Sequence, residues 1–160
     1  MLLGPKMTYE KFLEESLSKG LLRRQKSDLR AVEKLVLRAY KDLRTAKANL
    51  DIDEGIAYTV AYLAMLHAAR AFILLKGLRP ADGYQHKTVV EFISHFLGKE
   101  FGGMVKQFDR MRRKRNIFTY EVDISISKSE ASNALDKATK FVDLMKAIIQ
   151  KENPQMEFNF

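Results

Sequence analysis

The chain has 160 residues, eight glycines, three prolines and no cysteine. That length suits one domain with its own core. The lack of cysteine excludes a disulfide framework and a thiolate metal site, and so few glycines and prolines exclude a turn-rich all-β protein. The net charge of +8 points to an anionic partner, with nine Lys/Arg against three Asp/Glu from Arg23 to Lys47 and six against one from Lys106 to Arg115. A well-solvated helix surface is the plainer reading of the same charges.

The opening run Met1-Leu2-Leu3-Gly4-Pro5 stops far short of a signal-peptide core. With no cysteine to oxidise, a cytoplasmic setting is expected. A first helix is expected over about 8–19, with Tyr9, Phe12, Leu13 and Leu17 on one side and Gly20 stopping it. A second begins near Ser27 or Asp28. Its apolar positions Leu29, Val32, Val36, Ala39, Leu43, Ala46 and Leu50 recur in steps of three and four, the pattern of a long amphipathic helix.

Asp53 can cap a third helix that runs to about Lys76, with Gly77 just past its end. Ile56, Tyr58, Val60, Leu63, Met65, Phe72 and Leu75 cover nearly every side of it, as in a helix at the middle of a bundle. Its longest apolar stretch, Ile56 to Leu66, is followed by His67 and Arg70 and falls short of the roughly 20 residues a membrane span needs. No membrane partner is expected. The stretch Leu78 to Gln85, with Pro80 and Gly83, reads as a loop. A shorter helix follows, carrying Val89, Val90, Phe92, Ile93, Phe96 and Leu97.

A fifth helix opens poorly at Gly102 and Gly103 and continues through the basic run. From Tyr120 the pattern changes: Tyr120, Val122, Ile124 and Ile126 alternate with Glu121, Asp123 and Ser125, the period of an extended segment. Ser127 and Glu130 form a capping box for a last helix with Ala131, Leu135, Ala138, Val142, Met145 and Ile149 inward, which Pro154 ends. The tail Gln155 to Phe160 is expected to be loose. The expected fold is therefore all-α: one domain over 1–160, an antiparallel up-and-down bundle of about five or six helices, with its core over about 28–151.

The fifth helix breaks its own pattern. Met104, Phe108, Met111 and Phe118 form an apolar stripe whose missing position holds Arg115. A guanidinium there must find acceptors or reach solvent at a bundle end or subunit seam. If the helix persists, Asn116 and Tyr120 share the adjacent face, and Arg112 lies one turn before Asn116. These four could converge on one anion. In the structural alternative Arg115 ties the helix end to carbonyls, Asn116 caps and Tyr120 anchors the extended segment.

The segments Tyr62 to Ala71, Leu74 to Gly77, Gln85 to Phe92 and Arg112 to Tyr120 together resemble the HEPN family (higher eukaryotes and prokaryotes nucleotide-binding), over about Val36 to Ile149. The first helix is additional. The resemblance implies a bundle that often dimerises through the motif helices. It also implies metal-independent ribonucleases, many of them toxins encoded beside a small nucleotidyltransferase. Carried over by position, Arg115 matches the family arginine, Asn116 the polar residue after it, and Tyr120 stands where the family has histidine.

Cleavage without a metal uses the ribose 2′-hydroxyl as nucleophile, a base, an acid and a cation for the charge on phosphorus. Arg115, helped by Arg112, suits the cation, and Lys106, Arg110 and Arg113 suit further phosphate contacts. Histidine titrates near 6.5, whereas tyrosine would be only about 0.1% ionised at neutral pH. Weak or absent ribonuclease activity through Arg115, Asn116 and Tyr120 is the expectation. Among the other histidines, His67 reads as a satisfied core residue, His86 as serving the start of the fourth helix, and His95 as lacking a partner at ligand spacing. No metal site and no cofactor motif is expected.

Two functions stand side by side: a toxin-like, RNA-cleaving HEPN subunit, or a non-catalytic subunit that binds RNA, a nucleotide or a nucleotidyltransferase. A homodimer is expected in the first. In a third reading, Tyr120 accepts a nucleotidyl group from such a partner.

Overall fold

The computed structural model describes residues 7–81, 85–120 and 125–158. Six helices occupy most of it: α1 (Tyr9–Ser18), α2 (Leu29–Asn49), α3 (Glu54–Leu75), α4 (Gln85–Phe96), α5 (Gly102–Tyr120) and α6 (Lys128–Glu152). Side-chain caps set several of their starts. Thr8, Asp28, Asp53 and Ser127 each accept a hydrogen bond from a first-turn backbone N–H. Gly20 and Gly77, both with positive φ, turn the chain after α1 and α3.

α3 is the central element and packs against α2, α6, α5 and α4. That explains why it is apolar on nearly every side: Tyr58, Tyr62, Met65, Phe72 and Ile73 are buried in different directions. By length and composition α3 could cross a membrane. Here its apolar surface is covered instead by the neighbouring helices. Phe72, Phe92, Phe108 and Phe141 are fully buried and fill the bundle, each a side chain whose loss would cost about 3–5 kcal/mol. The amphipathic stripe of α2 faces this core through Val32, Val36, Ala39, Leu43 and Ala46, while Leu29 at its start is exposed.

Four sequence expectations need correction. The segment after α3 is not simply a loop, because strand β2 (Leu78–Pro80) pairs antiparallel with strand β1 (Leu22–Arg24), joining Leu22 to Pro80 and Arg24 to Leu78. Three residues are too few to show a period of two, and Pro80 sits at a strand end, where its missing N–H costs nothing. Second, Tyr120 is the last helical residue of α5 rather than the first of an extended segment; residues 121–124 lie outside those described. Third, the tail is anchored. Met156 is buried, and Phe158 packs on the core with the Lys146 ammonium over its ring.

Fourth, the capping box is half formed. Ser127 Oγ accepts from the Glu130 N–H, but the Glu130 carboxylate pairs with Lys114 on α5. That pair links the start of α6 to the arginine-rich half of α5. The poor opening of α5 is as expected: a 3₁₀ turn at Lys99–Phe101 precedes the helix at Gly102.

Candidate functional site

The apolar stripe of α5 runs inward through Phe108 and Met111, both fully buried. Phe108 packs against the Tyr62 ring of α3, with centroids 5.8 Å apart. Arg112 and Arg115 stand one and two turns further along α5, and both are half-buried. The helix therefore carries its two guanidinium groups past the Tyr62 contact and out to the margin of the core.

Arg112 is held by Asp109 one turn earlier, with Nε and Nη2 each 3.0 Å from Oδ1. Arg113 takes the other oxygen of the same carboxylate at 2.8 Å. Arg115 Nη1 makes a long 3.5 Å contact with Oδ1 of the neighbouring Asn116, which is exposed and lies within the helix rather than capping it. The Tyr120 side chain, expected to converge with Arg112, Arg115 and Asn116, lies outside those described.

What Arg112 and Arg115 do share is the neighbourhood of Tyr62 and His86. Tyr62 Oη and His86 Nδ1 are 2.8 Å apart, joining α3 to the first turn of α4. Two turns beyond Tyr62 on α3, Arg70 donates from Nη2 to Gln85 Oε1 at 2.7 Å, and Gln85 is the residue next to His86. The Nε of Arg70 is buried and has no hydrogen-bond partner among the described residues, and no carboxylate there pairs with its guanidinium. Ordinarily a half-buried cation in this condition is costly.

The electrostatics follow from this crowding. Burial first, then the charges of Arg115, Arg70, Arg112 and His67, push the His86 pKa below its usual value. Burial pushes the Tyr62 hydroxyl well above the ordinary tyrosine range, although Arg112, Arg115 and Arg70 pull the other way. Burial also lowers the pKa of Arg70. At neutral pH the group is a neutral imidazole bonded to a neutral phenol, facing guanidinium groups from two helices.

The remaining histidines are structural in different ways. His67 Nδ1 lies 2.6 Å from Oδ2 of buried Asp42, which also takes Arg38 Nε at 3.1 Å. It is satisfied, as expected, but sits at the edge of the core. His95, expected to lack a partner, stacks on Phe12 at 4.3 Å and has its Nδ1 2.8 Å from the Glu91 carbonyl oxygen. Among the described residues no group of three His, Asp or Glu could hold a metal ion.

The basic residues of α5 thus divide. Arg112 and Arg115 approach Tyr62 and His86, whereas Lys106 and Arg110 line an open groove of about 570 Å³ with Lys137 and Lys140 of α6, floored by Phe101 and Met104. Arg113 is exposed and tied to Asp109. Sequence reasoning missed Tyr62, Arg70 and Gln85 and gave His86 only a local role. A signal was present: α3 is apolar on all sides, so an ionisable group such as Arg70 within it needed a reason to be there.

The fold and site define a cation-rich helical bundle that gathers guanidinium groups around a tyrosine-bound imidazole. The HEPN domain family model matches residues 32–148, well over half of the chain, and this chain belongs to that family. The match starts within α2 and ends within α6, leaving α1 and β1 outside it. The crystal structure of the protein TT1696 from Thermus thermophilus has a similar fold, with a TM-score of 0.58 at 16% identity, covering 72% of this chain and 96% of that one. At such identity the likeness speaks to the fold alone. Among curated proteins, none matches this chain.

Proposed function

We propose that this protein binds RNA, gripping the phosphodiester backbone where α3, α4 and α5 meet, and that it acts as a toxin-like HEPN subunit. The observation that carries the reading is Arg70: a half-buried guanidinium with a bare Nε and no carboxylate among the described residues, set beside Arg112 and Arg115. A phosphate is the ligand that would satisfy it, since planar guanidinium donors match phosphate oxygens in pairs. Exposed Lys106, Arg110, Lys137 and Lys140 would extend the grip along the strand. Family membership supports the finer reading, a homodimer joined through α5 and paired with a small nucleotidyltransferase in the cytoplasm.

The test is fluorescence anisotropy with a short single-stranded RNA over a salt series. Each phosphate neutralised contributes a slope of about −0.7 in log K against log salt. Arg70→Gln and Arg112→Gln are expected to weaken binding and to flatten that slope by about 0.7 each. Absence of binding at low salt, or variants indistinguishable from the parent, would refute the reading. Co-purification with the adjacent nucleotidyltransferase, and a dimer by light scattering, test the two partner assignments separately.

A further inference from the structure

We propose that His86, brought in from the start of α4 rather than from the end of α5, is the proton-transfer residue of an RNA-cleaving site whose cations are Arg70, Arg112 and Arg115. This rests on the RNA-binding reading above and goes beyond it. An imidazole is wanted in this bundle because Tyr120 occupies the position carrying the family histidine, and a phenol is a poor base near neutrality. The structure supplies one from another helix.

Three features qualify His86. Its ring is fixed: Tyr62, buried and itself packed on Phe108, holds Nδ1 at 2.8 Å. In the tautomer whose Nδ1–H donates to the Tyr62 oxygen, Nε2 carries the lone pair. Its surroundings are cationic: Arg70 reaches Gln85, the adjacent residue, and Arg112 and Arg115 are near enough for their charges to act on the imidazole. Finally, it is half-buried at the first turn of a helix, where backbone N–H groups and the helix dipole also favour an anion.

The step balances within one residue. As the 2′-oxygen forms its bond to the adjacent phosphorus, His86 Nε2 takes the hydroxyl proton. Guanidinium groups hold the charge that builds on the equatorial oxygens. The bond from phosphorus to the 5′-oxygen breaks, and the imidazolium returns the proton to that leaving oxygen. The products are a 2′,3′-cyclic phosphate and a 5′-hydroxyl end. His86 must be neutral for the first half, and its crowding by positive charge keeps it so at pH 7. The groups that set this balance are Tyr62, His67 and Arg70 from α3, and Arg112 and Arg115 from α5, with Asp109 acting on Tyr62.

The experiment uses the full chain with a short fluorescent single-stranded RNA in chelator-containing buffer, reading affinity and cleavage separately. The expected result is cleavage to 2′,3′-cyclic phosphate ends, lost on 2′-deoxy substitution at the cut. His86→Asn should bind RNA as the parent does and cleave it about 100-fold or more slowly. The parent rate should rise with pH through a midpoint below 6.5, the ordinary histidine value, and Arg70→Gln or Arg112→Gln should move that midpoint upward. A purely structural His86 would not move with those charges. RNA bound without cleavage, or His86→Asn cleaving at the parent rate, overturns this inference while leaving RNA binding intact. No binding at low salt brings down the RNA reading itself, and this inference with it.

Discussion

Asp42 provides the most quantitative test of how the bundle places its polar groups. Its side chain is 2% exposed, and its two oxygens take different partners: His67 Nδ1 at 2.6 Å and Arg38 Nε at 3.1 Å. Those partners are not equivalent, because His67 is 24% exposed and Arg38 is 62% exposed. A screened pair such as Arg38–Asp42 contributes about 0–1 kcal/mol, whereas a partly buried, charge-assisted bond contributes about 1.5–3 kcal/mol. Asp42→Ala removes both and leaves the imidazole nitrogen short of an acceptor, for a loss of about 2–4 kcal/mol. In a chain of this size that lowers Tm by roughly 5–12 °C at pH 7, whereas Arg38→Ala lowers it by no more than about 4 °C. Thermal unfolding followed by circular dichroism measures both. Equal shifts, or an Asp42→Ala protein as stable as the parent, would show that desolvating the carboxylate cancels its bonds.

Two further outcomes follow from the same geometry. Because the His86 pKa is depressed in the folded state, the unfolded chain binds more protons just below pH 6.5. Stability should therefore fall as pH drops from about 6.5 through the folded value, and His86→Gln should flatten that part of a denaturant-midpoint profile; an unchanged profile counts against the crowding. Tyr40 Oη donates to Asp143 Oδ1 at 2.6 Å, tying α2 to α6, and burial together with this bond pushes its hydroxyl pKa up. Tyr40→Phe should cost about 1–2 kcal/mol in urea unfolding, and a loss too small to measure would show that the bond merely replaces water.

Much of the fold was legible because long helices announce themselves by period and caps. The stripes of α2 and α6 and the caps at Asp28, Asp53 and Ser127 all appear where the residues put them. What escaped was short or non-local. The pairing of Leu22–Arg24 with Leu78–Pro80 joins two three-residue segments from either side of two long helices, and no local pattern encodes such a partner. Met156 was read as part of a loose tail because a single apolar residue after Pro154 carries no period. The site was half legible for the same reason. Arg115 stood out within its own helix, since a charge interrupts a stripe. Tyr62, Arg70 and His86 belong to two other helices, and only packing puts them beside it.

The arrangement also explains why one helix can carry so much positive charge. From Lys106 to Arg115 α5 advances by about 14 Å, turning its cations toward different neighbours as it goes. Asp109 neutralises part of the load, clamping Arg112 and Arg113 with one carboxylate, and Glu130 takes Lys114. Lys106 and Arg110 remain in water beside the lysines of α6, where repulsion is screened. Arg70 has neither relief, since it is half-buried, lacks a carboxylate among the described residues, and lies on the helix the rest of the bundle surrounds. A fold that needed only stability would place an apolar residue there. Keeping a guanidinium at that point makes sense if its missing counter-charge arrives with a ligand, at the place where His86 presents a neutral imidazole.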